Sequence, residues 1–165
     1  MKPAKLVGIQ YAALPFRLRD KQVEVMLITS RGTQRWVIPK GWPIRGLKPQ
    51  DAAAMEAAEE AGVVGEIEGQ PLGSYHYGKW LKPGRAMDVQ VIVFPFRVTA
   101  QADAWKEQHQ RETGWFPYQR AAALVAEPAL RRLIHDFGAA RTPTLLARGL
   151  RTYRTYRSWR LSARA

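Results

Sequence analysis

"PKGWPIRGLKPQDAAAMEAAEEAGV", residues 39–63, sets three glutamates, Glu56, Glu59 and Glu60, into an alanine-rich run with no Lys or Arg among them. Pro49 suits the first turn of a helix, Asp51 its positive end, and Gly62 a C-terminal stop. The segment therefore predicts a helix over 49–61, with all three carboxylates, spaced i, i+3, i+4, on one side. Like charges so placed destabilise an isolated helix by roughly 0.2–0.5 kcal/mol per pair. A sequence shaped by helix stability alone would set Lys or Arg opposite them. The positive charge must come from elsewhere. Ala54, Ala57, Ala58 and Ala61 form a small-residue face suited to close packing on a sheet. That packing leaves the glutamates on a neighbouring, partly shielded face.

Strands flank this helix. "LVGIQYAALPFRL" and "VEVMLITS" read as two strands joined by the polar turn "RDKQ", and "RWVIPKG" as a short strand ending at Pro39. Downstream, "GEIEGQPLGSYHYGKWL" and "MDVQVIVFPFRVTA" read as two more strands around the hairpin turn "KPGRA". "TGWFPY" enters a helix at "QRAAALV", and "EPALRRLIHDFG" reads as an amphipathic helix closed by Gly138. Strands, helix, strands, helices: the order predicts an α/β fold, a mixed sheet covered by helices on both faces.

The chain has 165 residues, of which 46% are apolar and 24% charged, the balance of one soluble globular domain. It contains no cysteine, which excludes disulfides and thiolate metal sites and suits the cytoplasm. The first twenty residues alternate as a strand does and do not read as a signal peptide. No run has the length of a membrane span. The formal charge is +12, and residues 141–165 hold seven arginines and no acid, leaving about +5 on residues 1–140. We therefore divide the chain into a domain over 1–140 and a basic helix or tail over 141–165. Such charge favours anionic partners: phosphorylated small molecules, nucleic acid or acidic lipid.

Three carboxylates behind a glycine-containing loop suit a hard divalent cation, since Mg²⁺ and Mn²⁺ prefer oxygen ligands. A solvated acidic helix face is the competing reading of the triplet alone. With Gly41, Gly62 and Val63, however, the glutamates fall at spacings that resemble the Nudix box, G-x5-E-x7-R-E-U-x-E-E-x-G-U, where U is a bulky aliphatic residue. The likeness extends over residues 5–138 and is greatest to the branch holding diphosphoinositol polyphosphate and diadenosine polyphosphate hydrolases. It implies an α/β/α sandwich and a divalent-metal-dependent hydrolase of nucleoside diphosphate-linked or polyphosphate compounds, among them diadenosine polyphosphates and ADP-ribose. It also implies Glu56, Glu59 and Glu60 as metal-binding carboxylates, with a backbone carbonyl offered at Gly41 or Lys40, and Mg²⁺ or Mn²⁺ as the missing positive charge.

Two positions depart from the pattern. Leu47 stands where the box has its first glutamate, and Met55 where it has arginine. In the family these two residues support the loop and orient the carboxylates. Losing both leaves no buried partner unpaired, so an apolar contact in their place keeps the enzyme active. The alternative is a silent nucleotide-binding module. The resemblance places a further carboxylate, a general base, outside the box. Glu112 in "DAWKEQHQRETGWF" is the first candidate, with Glu107 and Glu59 as rivals and His109 close by. Glu59, Glu60 and Glu112 are thus the catalytic expectation.

Substrate contacts call for positive charge near the box loop, which Arg31, Arg35, Lys40 and Arg45 supply, with Lys79, Lys82 and Arg85 on the hairpin. His76 in "SYHYGKW" reads as a structural strand residue first and a ligand contact second. In the tail, Arg148, Arg151, Arg154, Arg157 and Arg160 recur every third residue among Tyr153, Tyr156 and Trp159. This pattern either packs a last helix on the body or a second subunit, or binds nucleic acid through phosphates and stacked bases. An RNA 5′-pyrophosphohydrolase is the enzyme alternative.

Overall fold

The structure is a computed structural model that describes residues 7–142. Its elements run β1 (Val7–Arg19), β2 (Gln22–Thr29), β3 (Trp36–Val37), β4 (Lys40–Gly41), α1 (Pro49–Ala61), β5 (Val63–Ile67), β6 (Gly73–Lys82), β7 (Arg85–Gln101), β8 (Thr113–Pro117), α2 (Tyr118–Leu124) and α3 (Pro128–Arg141). The strands form one eight-stranded mixed sheet with the central order β3-β2-β1-β7-β5, while β4 pairs with β1, β6 with β7 and β8 with β2. β1 and β7 are parallel from Val7↔Asp88 to Phe16↔Arg97, and the other pairs are antiparallel. Asp20 and Lys21, at φ of 49° and 65°, turn the chain from β1 to β2 in two residues, the geometry that matches strand twist.

Alternation along the strands feeds two cores. On one face Leu14, Phe16, Val25, Leu27, Val89 and Val91 meet Leu130, Ile134 and Phe137 of α3. On the other, Ala13, Met26, Ile28, Phe94 and Phe96 meet Ala53, Ala57 and Ala61 of α1. The result is an α/β/α sandwich. The stripe that packs is Ala53–Ala57–Ala61, one side chain per turn, whereas Ala58 is exposed and Ala54 half-buried. Their small size brings α1 close to the sheet, and its carboxylates with it.

Two expected boundaries move. Gly138 does not close α3: the helix continues to Arg141, and the glycine instead makes room for Tyr118, whose ring a Cβ there would overlap. The run expected as one strand from Gly65 divides into β5 and β6, which pair with different halves of β7. Leu47 and Met55, expected to supply apolar support, are 38% and 43% exposed. The arginine-rich tail and its roles lie outside the described residues. Among those residues no helix is long and apolar enough to cross a membrane.

Candidate active site

An open cavity of about 640 Å³ lies between the N-terminal half of β1, the β4 loop, α1, β6 and the loop between β7 and β8. Four carboxylates line it: Glu56, Glu59, Glu60 and Glu107. So do the cations Arg31, Lys40, Lys79 and Arg111, with Gln10, Trp42 and Tyr77 among the remaining wall.

Local structure explains each placement. Pro49 starts α1 at its first position, and Gly62 ends it in the left-handed region at φ 65°, its N–H bonded to the Ala58 carbonyl at 3.0 Å. Gly41 lies opposite Tyr11 in the β1–β4 pair, on the side of the sheet that faces α1. A Cβ at position 41 would overlap the Glu56 carboxyl group, so this glycine is what lets that carboxylate lie against the loop backbone. On β6, alternation places Tyr75, Tyr77 and Lys79 on one face, Tyr75 buried in the core with α3 and Tyr77 and Lys79 reaching the cavity, and sends His76 to the opposite face, beside Asp88 at 3.5 Å. Tyr77 donates its hydroxyl proton to Gln10 Oε1 at 2.8 Å, which satisfies a nearly buried amide.

The loop from Ala102 to Glu112 clasps the end of α1. Its Ala102 N–H meets the Gly62 carbonyl at 2.8 Å, its Glu107 N–H the Glu59 carbonyl at 3.0 Å, and the Trp105 ring covers Gly62. Lys106 Nζ donates to Glu59 Oε2 at 2.8 Å. Arg111, nearly buried, donates from Nε to Glu107 Oε2 at 2.7 Å, from Nη2 to Glu60 Oε1 at 3.2 Å and from Nη1 to the Thr29 carbonyl at 3.0 Å. The loop itself thus supplies positive charge to the box carboxylates.

Burial and mutual repulsion set the protonation states. Burial raises Glu60 from its usual value near 4.5 to about 7, against the pull of Arg111 and Lys40. Glu56 is raised by burial and by the neighbouring charges of Glu59 and Glu107. Burial lowers the Lys40 ammonium below its usual value, while Glu60 and Glu127 push it back. Lys40 also lies 5.4 Å from the centre of the Tyr77 ring, and Lys79 lies 4.9 Å from that of Trp42. Each lysine thus shares the wall with an aromatic face.

Of the residues singled out from sequence, Gly41, Glu56, Glu59, Glu60, Arg31, Lys40 and Lys79 meet at this cavity. Glu112 does not: its side chain is exposed and its backbone is bonded to Thr29. Its rival Glu107 takes a place in the wall. Arg35 and Arg45 are also outside the lining, Arg35 lying 3.8 Å from Glu127. Arg111, Gln10 and Tyr77 were not singled out. Gln10 and Tyr77 announce themselves only once β1 and β6 are phased by alternation, and no sequence signal identifies Arg111.

Among the described residues no three acidic or imidazole side chains gather ready around one point for a metal ion. The donor chemistry nonetheless fits a hard divalent cation: carboxylate oxygens, no soft ligand, and a glycine whose missing Cβ leaves room for Glu56 at the loop.

An α/β/α sandwich whose acidic helix, glycine loop and basic wall share one cavity has the build of a NUDIX domain. The model of that family, described as the NUDIX domain, matches residues 9–137, and the chain belongs to it. Nudix hydrolase 17, mitochondrial, of Arabidopsis thaliana is 36% identical over 96 residues, 57% of this chain and 50% of that protein. Diphosphoinositol polyphosphate phosphohydrolase 3-alpha of Mus musculus is 32% identical over 117 residues, 69% of this chain and 66% of that one. The crystal structure of C. elegans Ap4A hydrolase shares the fold, with a TM-score of 0.57 at 18% identity over 81% of this chain and 98% of that one. The chain spans half to two thirds of the length of these two curated relatives.

Proposed function

We propose that this protein hydrolyses a phosphoanhydride bond, with a divalent metal ion, in a nucleoside diphosphate-linked or polyphosphate substrate. The observation that carries this reading is the meeting of four carboxylates with Arg31, Lys40 and Lys79 in one cavity. Glu56, Glu59, Glu60 and the Gly41 carbonyl are the groups that would hold Mg²⁺ or Mn²⁺. When bound, such an ion polarises a phosphoryl oxygen and lowers the pKa of a coordinated water. Glu107, held by Arg111 at the cavity wall, is the carboxylate we assign as proton acceptor for the attacking water. Arg31, Lys40 and Lys79 neutralise phosphate charge that the metal leaves uncompensated.

The aromatic faces of Trp42 and Tyr77 favour a substrate with a nucleobase over a purely polyanionic one. Diadenosine polyphosphates therefore come first, ADP-ribose-type compounds second and inositol pyrophosphates third. The likeness to proteins named for both the first and the third class supports this set. Absence of cysteine suits any reducing compartment, the cytoplasm first, although some plant relatives carry mitochondrial names and another a chloroplastic one. A binding module without turnover is the second reading, favoured by exposed Leu47 and Met55 and by cations already on Glu59 and Glu60.

A panel assay separates these readings. Phosphate and nucleotide release is measured from diadenosine polyphosphates, ADP-ribose, inositol pyrophosphates, nucleoside triphosphates and triphosphate-ended RNA, with Mg²⁺, Mn²⁺ or chelator. Diadenosine polyphosphates are expected to give the highest kcat/KM. A preference for inositol pyrophosphates would remove the nucleobase argument, and ligand binding without turnover would establish the silent module.

A further inference from the structure

Leu47 and Met55, where the family pattern has a glutamate and an arginine, are exposed. Glu60 and Glu107 are both bonded by one guanidinium, that of Arg111, while Arg31 comes no closer to Glu107 than 3.8 Å. Arg111 spans them with two different nitrogens and is itself fixed by a third bond to the Thr29 carbonyl of β2. A planar, permanently charged fork anchored at three points has little freedom left. Its anchor at Thr29 ties it to the sheet, since Thr29 also receives the Glu112 N–H on its hydroxyl and donates its own N–H to the Glu112 carbonyl.

We propose that Arg111 is the positioning residue for Glu60 and Glu107, holding them from the β7–β8 loop. The proposal rests on the functional reading above for the roles of the two carboxylates. It makes a distinction that charge alone cannot make. A cation beside Glu60 repels an incoming metal ion, so if Arg111 contributed only charge, lysine would replace it without consequence. If it positions, lysine fails, because a single ammonium on a flexible stem does not reproduce a fork with three fixed bonds.

The test uses the full chain, with Mn²⁺ binding followed by electron paramagnetic resonance in the absence of substrate, and kcat and KM measured on the best panel substrate. Three proteins are compared: the parent, R111K, and R111A with and without guanidinium ion. R111K keeps the charge; R111A opens a space at the cavity wall that guanidinium fits. Loss of an outer support of this kind costs on the order of 10–100-fold in metal affinity or activity. We expect R111K to lose both Mn²⁺ affinity and kcat by that order while KM changes little. We expect guanidinium, and not tetramethylammonium, to restore part of the loss in R111A. An R111K protein that matches the parent in Mn²⁺ binding and kcat overturns the proposal. So does an R111A protein that folds and shows no selective rescue; if R111A does not fold, R111K decides alone. A parent that binds Mn²⁺ and turns nothing over sinks the hydrolase reading, and the Mn²⁺ comparison still decides Arg111. A parent that binds no Mn²⁺ sinks both.

Discussion

Glu60 is the cavity carboxylate whose protonation burial shifts into the neutral range. Folding buries it beside Glu56 and Glu107 and lifts its pKa from near 4.5 to about 7, with Arg111 and Lys40 limiting the rise. In the window from about pH 4.5 to 7, the folded metal-free protein therefore binds more protons at this site than the unfolded chain. The stability Glu60 contributes is fully present below its unfolded pKa and is lost as pH rises through its folded one. Glutamine in its place does not titrate. Urea midpoints of parent and E60Q, measured in chelator, should diverge in favour of E60Q as pH rises across that window. Parallel midpoints would contradict the assignment. Metal binding to the same carboxylate releases a proton, so Mn²⁺ affinity should rise between about pH 6 and 8. The neighbouring contrast of His76 with Tyr77 and Lys79 shows what single residues reveal in sequence. The histidine draws attention by its chemistry, yet strand alternation sends it to the face opposite the cavity.

The acidic helix was legible to its ends, since Pro49 and Gly62 are local signals that act through backbone geometry alone. The alanine stripe was not, because which alanines pack depends on where the sheet lies. Ala53, Ala57 and Ala61 are buried, and Ala58 is not. Gly138 misled for a similar reason: its cause is the Tyr118 ring of another helix, a contact without sequence signature. Likewise, sequence drew attention to the acids of "DAWKEQHQRETGWF", but only the fold selects Glu107 over Glu112 for the cavity. Two glycines give tests of the helix and its loop. G41A puts a methyl group where the Glu56 carboxyl lies, and that carboxyl, at the end of a flexible and half-buried side chain, swings aside at little cost in stability. The substitution should instead lower Mn²⁺ affinity on the order of 10–100-fold, by displacing a ligand. G62A places a side chain at φ 65° under Trp105, and the left-handed conformation alone costs about 1–2 kcal/mol. Denaturant unfolding checks both, and a G41A protein with parental metal affinity would remove Gly41 from the site.

The sandwich places its two cores on opposite faces of one sheet and the cavity beside the acidic helix, so the described residues hold every group that the proposed reaction uses. Ending the chain after Thr142 removes six arginines and lowers the formal charge from +12 to +6. That chain should keep turnover of small phosphoanhydrides. If the tail serves RNA, the truncation removes the steep salt dependence of RNA binding and of turnover on RNA ends. Sequence made the sandwich legible because strand alternation is a local pattern that recurs from element to element, and the box spacing is another confined to residues 41–63. It could not show that loop cations sit on the box carboxylates, since Lys106 and Arg111 reach them only through tertiary contacts. The most direct test of the account is hydrolysis of diadenosine tetraphosphate by the parent and by E60Q, each with Mn²⁺ and with chelator. Turnover by the parent should need the metal and should be lost in E60Q. Equal turnover in E60Q, or turnover that survives chelation, would contradict the proposed reaction.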